Sequence, residues 1–262
     1  MRIASLGQVF FAATMIALGI LGLMKGDFTV IWQPVPDALP ARVALIYLCA
    51  IISLVSGVGL LLQRAAAPAA RVLTAYLLLW LLLMRVPGIF LASNVGTWWP
   101  AAQVAVMLAG AWVLYVWFAT DWDKQHLRFA TGEKGLRIAR VFYGLALIPF
   151  GVAHFAYLQH TAEMVPHWLP FHVAWACFTG GAYIVAGAAI VIGVFARLAA
   201  TLSALQTIMF LLLVWVPVIA AGSKDANDWS ETLCNVALAA GSWVVAESYR
   251  NVPWLGMNRI KR

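Results

Sequence analysis

What most limits this chain is a series of uninterrupted apolar runs that recurs from one end to the other, with only short polar connectors between them. An α-helix needs roughly 20 apolar residues to cross the hydrocarbon of a bilayer, and in lipid every backbone N–H and C=O must be satisfied within the spanning structure. A barrel meets that demand with alternating segments of about ten residues, whereas these runs are continuous. The sequence therefore predicts an all-α integral membrane protein with eight transmembrane helices. They are expected at Ser5 to Met24, Arg42 to Leu62, Arg71 to Ala92, Ala101 to Ala119, Arg137 to Leu158, Val173 to Gly193, Arg197 to Ala221 and Glu231 to Ala246. Composition agrees, at 64% hydrophobic and 10% charged residues against about 25% charged in soluble domains. The first run has a single preceding charge, Arg2, and no small-residue cleavage pattern after it, so it reads as a span and not a secretory leader.

Lys and Arg fall unevenly between alternate connectors. One side holds Arg2, Arg64, Arg71, Lys124, Arg128, Lys134, Arg137, Arg140, Arg197, Arg250, Arg259, Lys261 and Arg262, and the other only Lys25, Arg42 and Lys224. Cytoplasmic loops keep the positive charge, which predicts both termini in the cytoplasm and a multi-pass location in the inner (cytoplasmic) membrane, with lipid as the immediate partner. The net charge of +7 is then a topology signal. A nucleic-acid partner is excluded, because the basic residues are spread over every inner connector and form no single patch.

The chain also reads as two copies of one unit. VPDALPARVALIYLCAIISLVSGVGLLL from Val35 aligns with VPHWLPFHVAWACFTGGAYIVAGAAIVI from Val165 at a constant offset of 130, matching Pro36 with Pro166, Leu39 with Leu169, Pro40 with Pro170 and Gly57 with Gly187. The same offset brings Val86-Pro87 onto Val216-Pro217 and Trp99 onto Trp229, and a small gap brings Arg71 onto Arg197. Four helices per copy is an even number, so the copies run parallel, as two four-helix bundles. The expected units are a degenerate first bundle over 1–120, a solvated cytoplasmic linker over 121–136, and a second bundle with a basic tail over 137–262.

The second copy opens a helix with Arg140, closes it with Gly151 and His154 in a G-x-x-H pattern, continues into V-P-x-W-L-P, and carries A-R-L-A-A at Ala196 to Ala200. In these motifs it resembles the DoxX family of four-helix membrane proteins, and with the first copy the resemblance covers nearly the whole chain. It implies redox work beside the quinone pool, since relatives include the membrane subunit of thiosulfate:quinone oxidoreductase. Similar proteins often carry a glutamate in the second helix before a glycine pair, where this chain has Tyr183 and Ser53, so a mechanism resting on that acid is not expected.

Candidate site residues concentrate between Gly151 and Phe178, which hold four of the five histidines. His154 follows Arg140 by 14 positions, and Arg85 follows Arg71 by 14, which places both about 21 Å above the cytoplasmic edge. Intramembrane Arg costs at least about 2.5 kcal/mol at the bilayer centre, so Arg85 is expected to anchor an anionic or quinone-carbonyl ligand, to pair with a neighbouring helix's carbonyls or to snorkel toward outer headgroups. The duplication alone does not call for it, because its counterpart is Trp215. His154 is the candidate proton acceptor. Arg85, Tyr183, Trp168 and His172 are the candidate ligand-binding residues, and His160, Glu163 and His167 form an outer-loop polar cluster. The histidine spacings match no compact metal-ligand pair, and no metal is expected. Cys49, Cys177 and Cys234 lie singly, without C-x-x-C, which excludes dithiol relay chemistry, although a bridge between Cys177 and Cys234 stays open. Most tryptophans fall at run ends, as an interfacial belt does.

These readings lead to a DoxX-like protein with quinone-linked redox chemistry, binding a quinone or small redox ligand in the outer half of the second bundle and carrying no covalent cofactor. A non-catalytic assembly subunit of a respiratory or other membrane complex is the alternative, and a small-molecule transporter is the third.

Overall fold

The computed structural model describes residues 5–256. Among them the chain is helical, with twelve α-helices: α1 (Leu6–Lys25), α2 (Arg42–Leu61), α3 (Ala66–Trp80), α4 (Val86–Leu91), α5 (Val95–Phe118), α6 (Asp121–His126), α7 (Gly132–Ala156), α8 (Leu158–Glu163), α9 (His172–Ile192), α10 (Ala196–Phe210), α11 (Val216–Ala220) and α12 (Ala226–Ser248). A short 3-10 turn lies at Val30–Trp32. Wide π turns at Leu81–Arg85 and Leu211–Trp215 weld α3 to α4 and α10 to α11. Seven of the resulting segments are long and apolar enough to cross a membrane: Leu6–Lys25, Arg42–Leu61, Ala66–Leu91, Val95–Phe118, Gly132–Ala156, His172–Ile192 and Ala196–Ala220. Helix α12 is 23 residues long but carries Asp228, Glu231 and Glu247 and is not among them.

Local chemistry explains the ends. Ser5 accepts a hydrogen bond from the Gln8 N–H and Gly26 turns α1 off in the left-handed conformation. Asn94 and Thr97 form a reciprocal capping box that starts α5 six residues before the expected Ala101. Helix α7 likewise begins inside the expected 121–136 linker, since the polar residues from Gly132 onward continue the helix beyond the apolar run. The π turns follow from Pro87 and Pro217. Proline has no N–H and its ring collides with the preceding turn, so the Val86 and Val216 N–H groups reach back to Leu81 and Leu211 in a widened turn. The two turns stand 130 positions apart, as do Ala41 and Phe171, which open α2 and α9 with φ of 54° and 59°.

Packing is not confined within each half. Helix α1 lies on α2, α2 on α3 and α3 on α5, and α7 on α9, α9 on α10 and α10 on α12. The first helix of each half also packs against the last helix of the other, α1 on α12 and α7 on α5, while α5 and α12 pack on each other at the centre. Every residue of α5 from Ala101 to Tyr115 is buried, and a single apolar core draws on both halves. Contacts close at glycines. A Cβ on Gly144 would sit 2.9 Å from the Gly187 carbonyl, and one on Gly151 would sit 2.5 Å from that of Gly180, so α7 and α9 approach backbone to backbone. Large apolar side chains such as Leu48, Ile51, Val55, Val185 and Leu202 point outward and are exposed, as a lipid-facing surface requires.

One expectation is corrected here. The linker charges do not all face water, because Asp123 of α6 is fully buried. It pairs with Arg71 at 2.8 Å, and it accepts hydrogen bonds from Tyr115 Oη at 2.9 Å and from the Thr120 hydroxyl at 2.6 Å. Burial by itself would raise its carboxyl, but the Arg71, Thr120 and Tyr115 donors together outweigh that and hold it well below the usual carboxylate range. Buried carboxylates survive only when paired in this way. The clamp repeats in kind on the other half, where Arg197 of α10 donates to the Val252 carbonyl at 2.8 Å and lies over the Trp254 ring.

Candidate functional site

His154 occupies the last turn of α7 and is 6% exposed. Its Nδ1 lies 2.8 Å from the Phe150 carbonyl. A carbonyl only accepts, so Nδ1 carries the proton and Nε2 is left as the accepting nitrogen. The ring stacks on Phe210 at 5.8 Å and meets the edge of Tyr183 at 5.6 Å. It opens onto a cavity of about 50 Å3 whose polar lining comes from five helices: Gln103 of α5, His154 of α7, Tyr183 of α9, Thr207 of α10, and Glu231, Asn235 and Ser242 of α12. Positions 231, 235 and 242 share one face of α12, so one helix supplies a polar stripe to an otherwise apolar wall.

Beneath the cavity the hydroxyls are tied to one another. Tyr183 Oη and Thr207 Oγ1 are 3.1 Å apart, Thr207 donates to the Ser203 carbonyl at 3.0 Å, and Tyr143 Oη lies 3.0 Å from Ser203 Oγ. Below them Arg140 lies over the Tyr249 ring, its guanidinium bonded to the Ser248 hydroxyl and carbonyl.

The structure brings together two of the residues singled out from sequence, His154 and Tyr183. Arg85 does not line the cavity. It is 4% exposed, and its guanidinium donates to the Pro34 and Gln33 carbonyls at 2.6 Å each, with a longer contact of 3.5 Å to Ile31. Its fork clamps the loop ahead of α2, so the carbonyls it holds most closely belong to a loop and not to a neighbouring helix. Trp168 is 71% exposed, and His172 opens α9 with its ring 6.3 Å from that of His167. His160 and Glu163 are exposed on α8, and neither lines the cavity. No group of three or more His, Cys, Asp or Glu able to hold a metal occurs among the described residues, and all three cysteines are free thiols.

Sequence reasoning missed Glu231, Asn235, Gln103, Thr207 and Ser242. The signal lay in spacing, since 231, 235 and 242 recur on one face of α12 and Gln103 and Thr207 are polar residues within apolar helices.

The corresponding place in the first half is filled. Gly22 meets Ala50 there as His154 meets Gly180. Phe28, Trp32, Tyr76 and Trp80 pack into the space with ring centroids 5.1 to 6.2 Å apart, Trp32 edge-on to Tyr76 and Trp80 and the other pairs tilted. A larger cleft of about 270 Å3 lies on the opposite flank of α12, among Leu18, Lys25, Thr29, Ile31, Trp229 and Leu233. The donors around His154 suit a carbonyl oxygen, but about 50 Å3 admits only water-sized guests. A quinone ring does not fit the His154 cavity as it stands.

These features define a polytopic helical membrane protein with a small polar chamber in its second half. Residues 135–216 match the family model described as DoxX, which makes that segment DoxX-like. No curated protein and no solved structure gives a match.

Proposed function

We propose that this chain is a DoxX-like protein of the cytoplasmic membrane that handles protons for a redox complex, as an accessory subunit and not as the electron-transferring enzyme. In this reading the chain crosses eight times with both termini cytoplasmic, as a tandem of two four-helix units. Helix α12 serves as the eighth span, since 23 residues reach about 34 Å and its acidic residues lie near its ends or in the chamber. The matched element order and the two π turns 130 positions apart support the tandem.

The observation that carries the function is the chamber itself. Six polar side chains from four other helices converge with His154 on a space that only water-sized guests enter. In a span, polar groups are costly and are kept where they bind or move something. An imidazole with one nitrogen fixed by Phe150 and the other free is built to take and return a proton. The small volume favours the accessory role over a bound quinone. The DoxX resemblance supplies the redox context, in which the quinone belongs to the partner complex.

The test is magnetic resonance on protein labelled at histidine nitrogen, in bilayers, across the acidic to neutral range. His154 is expected to titrate reversibly, identified by loss of its signal in His154→Gln, while quinone analogues leave the melting temperature unchanged. A His154 that never changes protonation overturns the proposal. Melting protection that disappears in His154→Gln replaces it with a ligand site.

A further inference from the structure

The chamber is closed unequally toward its two ends. Toward the cytoplasm-proposed face, Tyr143, Ala200, Ser203, Val244 and Val245 are at most 2% exposed. That layer ends in Arg140, a fixed cation held by Ser248, which opposes entry of a proton. Toward the face that carries the V-P-x-x-L-P loops, the lining includes Glu231, which is only partly buried.

We propose that Glu231 is the proton gate of the chamber, so that His154 exchanges protons with the loop face alone. This rests on the reading of His154 as a proton-handling group. A proton from loop-face water protonates the Glu231 carboxylate. Glu231 passes it to water in the chamber, whose volume suffices for a few molecules, and that water gives it to Nε2 of His154. Release runs the same steps backward, and no electron or other reactant is involved. Asn235 steadies this path, since its amide donates to the Glu231 backbone carbonyl at 3.0 Å.

The surrounding charges are consistent with one entry. Helices α5 and α10 bring no charged side chain to the chamber, and α9 brings only Tyr183. Helix α8 offers His160 and Glu163 at the surface. On α12, Asp228 is bonded to the Ser223 hydroxyl at 2.6 Å, and Lys25 of α1 stands on the far flank of α12 in the larger cleft. On α7 the remaining groups are Glu133, Lys134, Arg137, Arg140 and Tyr143, all nearer the start of that helix than His154.

The experiment uses the full chain in sealed liposomes, with orientation scored by protease access to the tail and the pH changed on one side at a time. The His154 signal is expected to follow the loop-face pH and to ignore the other. Glu231→Gln should slow its exchange at least about tenfold, and Glu231→Asp should restore most of the rate, with melting curves confirming that both variants fold. A His154 that follows the opposite face, or an unchanged rate in Glu231→Gln, overturns the gate while leaving the proton-handling reading intact. A His154 that titrates from neither side overturns both.

Discussion

A methyl group placed on Gly180 would come within 2.7 Å of the Cβ of His154. The site histidine is therefore positioned by backbone contact between α7 and α9. Real Cβ atoms do not approach so closely, and both atoms belong to rigid helices.

Gly180→Ala should then force α7 and α9 apart and lower stability by about 1–3 kcal/mol, the usual range for overpacking. Gly181→Ala provides the control, because nothing lies within 4 Å of the added methyl. It is expected to match or slightly exceed wild type, since alanine is the better helix former. Thermal melting of both variants in one detergent makes the comparison.

Arg85→Lys should destabilise the protein by about 1–3 kcal/mol, because an ammonium cannot supply the planar fork that serves the Pro34 and Gln33 carbonyls together. Hydrogen exchange should rise at Val30–Trp32 and the following residues, whereas the His154 signal stays in place. A shifted His154 resonance in this variant would link Arg85 to the chamber after all.

Asp123→Asn should cost about 1–3 kcal/mol at neutral pH, because a neutral amide weakens the charge-assisted bonds from Arg71, Tyr115 and Thr120, while the partly exposed Arg71 stays screened by water. The sign of the pH dependence follows from the lowered carboxyl. The folded-state value lies below the unfolded one, so the contribution is complete above the ordinary carboxylate range and is lost as pH falls through the folded value. The gap in melting temperature between wild type and variant should hold down to about pH 5 and narrow below about pH 4. A gap independent of pH would show that the pair contributes packing and not charge.

Tyr183→Phe removes the partner of Thr207 at 3.1 Å while Thr207 keeps its bond to the Ser203 carbonyl. The expected loss is about 0.5–1.5 kcal/mol. A double-mutant cycle with Thr207→Val should return a coupling near 0.6 kcal/mol, typical of hydrogen bonds between membrane helices.

Much of the fold was legible because a span is a local property. Seven of the apolar runs, Leu6–Lys25 to Ala196–Ala220, are helices long enough to cross, and the proline pairs that align in sequence produce matching π turns. The ends were harder, since α5 and α7 continue past their apolar runs on capping and polar helix formers. The site was legible only at His154, an ionisable residue within a run, and at Tyr183. Arg85 looked equally chemical, yet its partners are carbonyls more than 50 positions earlier in the chain.

By itself the sequence determined the helical membrane character, the length of the runs, the 130-position correspondence and the presence of a histidine within α7, all of which depend on neighbours along the chain. Only the tertiary structure decided that α1 packs on α12 and α7 on α5, that Asp123 is buried, and that Glu231 and His154 line one chamber. Lipid offers no hydrophobic drive to choose between helix faces, so side-chain fit and hydrogen bonding between distant segments make that choice.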